Sequence, residues 1–249
     1  MTIPEQTYLL AERLELGPAR TLGEDKFYPV NRHQSMVLRA GRFNLNPTLP
    51  AGWDGWAMIP KVTTVLGLKR KIKNFVDIKV LMPLALLRLF KVLRQVYSMH
   101  GQAANYLFTL DISHRGLRLA DKTAQALARL EECDSPMAPM LVQTGRRYQN
   151  RSPAEVLERL SGNELAMDPY IAGCVLLANT GRFNSADALW MDCAGASCAN
   201  EQGVFDQVPC WVRRTQDRHE LDLVMRWRGQ RNSKYGTATA LLPNPDGSF

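Results

Sequence analysis

The sequence predicts an α+β protein in which a basic helical segment separates two strand-rich parts. Three observations carry that reading. Alternating or β-branched runs bounded by Gly, Pro and Asn fill the first and last thirds, as half-buried strands require. Between them apolar residues recur at helical spacing. The formal charge of +7 is also uneven: residues 61–160 hold 17 Arg and Lys against 8 Asp and Glu, and the remaining 149 residues hold 14 against 16. The expected organisation is an N-terminal part over 1–79, a basic helical insertion over 80–160, and a C-terminal strand-rich part over 161–249 that completes the core.

Taken in order, "TYLLAERLELG" fits strand or helix, whereas "MVLRAGRF" and "WAMIPKVTTVLG" have the β-branched and aromatic content of strands. The Asp54-Gly55 pair is a hairpin signal, because a tight turn needs positive φ. Trp53 and Trp56 flank it and suit either cross-strand packing or stacking on bases. From Val80 to Leu93 the pattern becomes a core-facing helix, with Leu84, Leu87, Val92 and Tyr97 on an apolar side and Arg88, Lys91 and Arg94 recurring at intervals of three. Leu117–Cys133 gives a second amphipathic helix. Ser152–Leu160 gives a third, opened by a capping box of Ser152 and Glu155 with Pro153 in the first turn. Between these two lies "QTGRRYQNR", where Arg146, Arg147 and Arg151 surround Tyr148. That loop suits phosphates gripped by guanidinium forks and a base on the ring, or a plain exposed connector. Near the end, "PCWVRRTQDRHELDLVMRWRGQRNSKYG" reads as strand-turn-strand, with Leu221, Leu223, Met225 and Trp227 alternating and seven cations among residues 211–235.

Composition excludes several classes. The N-terminus carries Glu5 where an export signal needs positive charge, and the Val80–Leu93 run is shorter than a bilayer span and contains Arg88 and Lys91, so a cytoplasmic protein with no membrane partner is expected. Five scattered cysteines are not a disulfide framework. Cys193, Cys198, Cys210 and His219 lack the short paired spacing of a metal knuckle, and no cofactor is implied. Phosphate-loop, dinucleotide, zinc-protease and nucleophile-elbow patterns are missing. The central basic excess instead points to a polyanion, since neutralised phosphates release counterions.

The C-terminal segment resembles the end of the CRISPR repeat-processing endoribonucleases, particularly the short type I-F form. Pro209 leads a strand, Arg214-Thr215-Gln216-Asp217 corresponds to an Arg-Ser-Gln-Ser run, Leu221 to Met225 to a second strand, and Tyr235-Gly236 to a terminal Tyr-Gly. The match covers about 40 of 249 residues. Length and the basic insertion make the chain look most like the related enzyme of type IV systems. The resemblance implies ferredoxin-like (RRM-like) βαββαβ modules and metal-independent cleavage of the repeat RNA at the base of its stem-loop. It also implies retention of the mature RNA among the other subunits of an effector complex. Tyr235 and Thr215 fall where the family places a catalytic-site tyrosine and a serine that positions the ribose, and Asp217 departs from the pattern.

Such cleavage has the ribose 2′-oxygen attack its own phosphate, which needs a base, cations for the growing charge and in-line positioning. Among His33, His100, His114 and His219, His33 lies where the family carries its histidine, with Tyr28, Arg32, Arg39 and Arg42 close in sequence. Arg39 is assigned to the phosphate, and an arginine- and tyrosine-centred site is the alternative. Arg32, Arg42, Arg88, Lys91, Arg94, Arg146, Arg147, Arg151, Arg214, Arg231 and Lys234 are the expected RNA contacts, with Gly236 admitting backbone to phosphate. The competing readings are a non-catalytic RNA-binding subunit and a zinc-stabilised plasmid or phage DNA-binding protein.

Overall fold

Asp168-Pro169 starts the helix around which the protein is built. The computed structural model describes residues 3–14, 49, 51–68, 75–98, 116–133, 135–160, 162–179, 188–213 and 221–241. In chain order the elements are α1 (Ile3–Arg13), β1 (Gly55–Pro60), α2 (Val62–Leu66), α3 (Phe75–Ser98), β2 (Leu117–Leu119), α4 (Asp121–Glu132) and β3 (Met137–Gln143). A 3₁₀ turn (Arg146–Tyr148) leads to α5 (Pro153–Arg159), β4 (Glu164–Ala166), α6 (Pro169–Ala178), β5 (Trp190–Asp192), β6 (Ala196–Cys198), β7 (Gln207–Arg213), β8 (Leu221–Trp227), β9 (Tyr235–Thr237) and β10 (Thr239–Leu241). The Asp168 carboxylate accepts from the Tyr170 and Ile171 amides, and Pro169 takes the first helical position, where no amide proton is needed. All ten residues of α6 are buried, so the helix is apolar on every side and serves as core.

Two sheets and α3 surround α6. One sheet has the order β1-β3-β10-β4 and is antiparallel at each pairing. The other runs β2-β6-β7-β5-β9, with β8 on the free side of β7 and one parallel pair, β5 with β9. The sheets are joined where the chain passes from β9 through Ala238 into β10. There the Ala238 amide donates to the Asp192 carbonyl, and its carbonyl accepts from the Met167 amide. Tyr170 ties α6 to β1 by donating to the Pro60 carbonyl at 2.7 Å, and Trp211 of β7 donates to the Pro169 carbonyl at 3.1 Å while stacking on Phe90 of α3. Burying a side chain the size of Trp211 contributes about 3 kcal/mol, so these contacts fix the relation of the helices to the sheets.

The α+β class is observed. Several element expectations are corrected. "TYLLAERLELG", read as strand or helix, begins as helix α1, and of the run read as strand "WAMIP" is β1 while "VTTVLG" is α2, closed by Gly67 at φ 68°. Asp54-Gly55 forms no hairpin between described strands. Asp54 instead binds the Thr144 amide and hydroxyl across the sheet, both at 2.6 Å. The predicted second helix loses its first residues to β2. Helix α3 is buried through Ile78, Met82, Ala85, Leu89 and Leu93, while Leu84 and Leu87, expected on the core side, are exposed. The helix is apolar around most of its circumference, so periodicity alone did not select the packed face. The boundary expected at residue 79/80 falls inside α3, and the first sheet draws strands from each of the three expected segments.

Candidate nucleic-acid interface

Two segments that lie far apart in sequence form one junction: the loop from Thr144 to Arg151 and the turn that enters β9. Gln149 bridges Gly236, the Asn150 amide donates to the Tyr235 carbonyl at 3.2 Å, and the Gln149 side chain donates to the Ser233 carbonyl at 2.8 Å. Gln143 holds both sides. Its buried amide accepts from the Gly145 amide at 2.9 Å and donates to the Thr237 carbonyl at 2.8 Å and the Thr239 hydroxyl at 2.9 Å.

The close approach explains both glycines. Gly145 has φ 109°, a conformation that side chains resist. A Cβ on Gly236 would stand 2.6 Å from the Gly145 carbonyl carbon and 2.8 Å from its Cα. Gly236, expected to admit a phosphate to backbone, therefore admits the backbone of the loop.

The expected contacts divide into two groups. Tyr148, read as a platform for a base, is buried and donates to Glu164 at 3.1 Å; its hydroxyl pKa is raised by burial and by that carboxylate. Arg147 pairs with the same carboxylate at 3.4 Å and lies 5.7 Å from the Trp53 ring centre and 5.3 Å from that of Tyr148. Arg231 binds Glu155 with two nitrogens, and this bond with the Ser152 backbone holds the Glu155 carboxyl down at about 2. Glu155 is also the acid of the capping box, whose Ser152 amide donates to it at 2.9 Å, so Arg231 braces α5 against the turn. Arg146, Arg151 and Lys234 have no carboxylate partner among the described residues, and Arg146 and Lys234 are exposed. Arg228, which the sequence reading passed over, is an exposed cation of the same surface, its carbonyl accepting from the Ala154 amide.

Tyr235 stands on a charged floor. Arg226, buried and bonded to both oxygens of Asp192 at 3.2 and 2.9 Å, places its guanidinium 4.0 Å from the centre of the Tyr235 ring. Trp190 meets the ring edge-on at 4.8 Å between centroids. Burial raises the Asp192 pKa to about 6 despite the opposing Arg226 charge, so the pair is ionised at neutral pH. One face of the tyrosine is thus occupied by protein. Its hydroxyl makes no hydrogen bond among the described residues.

Among the described residues, Arg88 and Lys91 are not brought to this junction. Arg88 donates to the Leu14 carbonyl at the end of α1, and Lys91 is exposed on α3. Arg94 belongs to α3. His33, Arg39, Tyr28, Arg32, Arg42, Arg214 and Thr215 lie outside the described residues. Cys193, Cys198 and Cys210 are buried and free, and burial pushes the Cys198 thiol up to about 12 and the other two well above their usual value. No three His, Cys, Asp or Glu among the described residues gather as a metal site. No described helix is long and apolar enough to cross a membrane.

A cation surface whose neighbouring carboxylates, Glu164 and Glu155, are already paired can hold phosphates without collapsing onto its own acids. No family model, curated protein or solved structure matches the chain.

Proposed function

We propose that the protein binds the stem-loop of a CRISPR repeat RNA across the junction surface and is a metal-independent endoribonuclease that cuts at the base of the stem and keeps the product. The observation that carries the binding half is the convergence of the arginine loop and the Lys234-Tyr235-Gly236 turn. It gathers Arg146, Arg151, Arg228 and Lys234 on one surface while Arg147 and Arg231 spend their charge on Glu164 and Glu155. The cutting half rests on the resemblance and on the chemistry assigned to His33 and Arg39. The α+β class, with a four-stranded sheet antiparallel at every pairing, is compatible with the ferredoxin-like core that the resemblance implies.

One observation favours a second reading, a non-catalytic RNA-binding subunit. Tyr235, the assigned catalytic-site residue inside the junction, is clamped between Arg226 and Trp190 as a packed group would be.

The test is RNA affinity as a function of salt, measured on the repeat stem-loop for the wild type and for Arg146→Ala/Arg151→Ala/Lys234→Ala. Each lost phosphate contact should weaken binding and reduce the slope of log affinity against log salt by about 0.7 to 0.9. An unchanged affinity and slope would remove this surface from the interface. In EDTA the wild type should leave a cyclic-phosphate end, whereas binding without cutting would select the second reading.

A further inference from the structure

Beside the junction lies a cleft of about 680 Å³ that nothing above has used. It opens between the start of β1 and the end of α6, and Arg146 is common to the cleft and the basic surface. Its volume falls in the range of roughly 300–1,000 Å³ that small-molecule sites occupy.

The lining is chemically polarised. Arg146 is exposed and has no carboxylate partner among the described residues. Trp56, Val142 and Leu189 supply apolar surface. Asp54, also on the wall, uses Oδ2 for the Thr144 amide and hydroxyl, which leaves Oδ1 without a partner among the described residues. A bare anion would meet Arg146 but be repelled by Asp54, and a purely apolar ligand would leave both unanswered. The complementary ligand has an anionic end for Arg146, a flat apolar body and an N–H or O–H donor for Asp54. A nucleotide has all three, with phosphate, base plane and amino or ribose hydroxyl donors.

We infer that the cleft is a nucleotide site, in which one unpaired nucleotide flanking the stem of the bound RNA is seated with its phosphate on Arg146 and its base or ribose donors toward Asp54. This rests on the RNA-binding reading for the identity of the ligand but not for the site. It gives Arg146 a different task from Arg151 and Lys234: Arg146 steers the chain from the duplex surface into the cleft. Single-stranded flanks are where RNA-binding proteins obtain selectivity, because stem base edges are hidden.

The experiment compares the repeat stem-loop with and without its unpaired flank, using the full chain. Cleft-filling Ala188→Phe and Asn179→Trp are two independent variants at lining positions outside the basic loop. The wild type should prefer the flanked RNA by about tenfold, the gain typical of one stacked base. Both filled variants should lose that preference and bind the flankless stem-loop as the wild type does. Adenosine monophosphate should give a saturation-transfer signal with the wild type that disappears in the filled variants and weakens in Arg146→Ala. A preference retained in both folded variants would overturn the inference and leave the RNA-binding reading intact. Monophosphate binding lost on filling, in a protein that binds neither RNA, would support the cleft and sink the RNA reading.

Discussion

Replacing Gly236 with alanine tests the junction through its tightest point. The new Cβ would meet the Gly145 carbonyl carbon at 2.6 Å and its Cα at 2.8 Å, distances that real methyl groups do not tolerate. The obstacle is backbone, and that backbone is held by Gln143 and by the Gln149–Gly236 bridge, so it cannot rotate aside as a side chain would. Overpacking typically costs about 1–3 kcal/mol, and a fixed obstacle puts this case near 3 kcal/mol. For a chain of this size that lowers Tm by roughly 6–12 °C. Gly162 is the control. Its φ is 54° but nothing lies within 4 Å of an added Cβ, so Gly162→Ala should cost only the left-handed backbone penalty of about 1 kcal/mol. Thermal and urea denaturation of both variants, alongside RNA binding, give the comparison. Gly236→Ala should also weaken RNA binding, because the loop and turn must separate. A Gly236→Ala protein as stable as Gly162→Ala would refute the proposed packing of the junction.

Further outcomes follow from the buried charges and the assigned chemistry. Arg226→Met leaves Asp192 buried without its cation and should cost about 3–5 kcal/mol at pH 8, less at pH 5 where the carboxyl takes a proton; urea midpoints at the two pH values check this. Asp168 is fully buried with Oδ2 unpartnered, and burial raises its pKa to about 7, above the unfolded value near 3.8. The folded state therefore holds the extra proton, and this group's stabilising contribution is complete below about pH 4 and lost as pH rises through 7. Asp168→Asn keeps the cap oxygen and should flatten that decline in a pH series of denaturation midpoints. If His33 is the general base, His33→Ala should slow cleavage by roughly 10²- to 10⁴-fold with RNA affinity preserved, and full activity would transfer the role to the arginine-centred site.

The parts of the fold that sequence made legible were those in which local chemistry decides. The capping box of Ser152 and Glu155 appeared as read, and β7 and β8 pair along their whole length from Gln207–Trp227 to Arg213–Leu221. What stayed hidden depends on distant partners. Leu84 and Leu87 carry the same apolar character as Leu89 and Leu93, and the packing of α2, α4 and α6 against α3 determines which side is covered. Helix α6 was not expected within a C-terminal part read as strand-rich, because its apolar run reads equally as a buried strand. At the candidate site, the arginine loop and the Tyr-Gly turn were each visible as basic segments. Their union was not, because Gln143, which holds Gly145, reaches Thr237 across 94 positions and a lone glutamine carries no pattern. The occupation of Arg147, Tyr148 and Arg231 by Glu164 and Glu155 was invisible for the same reason.

The central claim is that the loop and the turn act together as the RNA-contacting surface. Hydrogen exchange of the full chain, with and without its repeat stem-loop, addresses it most directly. Exchange should slow in peptides covering residues 144–151 and 228–237 at once, with the same RNA concentration dependence for both, since the Asn150 and Gly236 backbones belong to one structure. Protection confined to α3, or to one segment without the other, would contradict it.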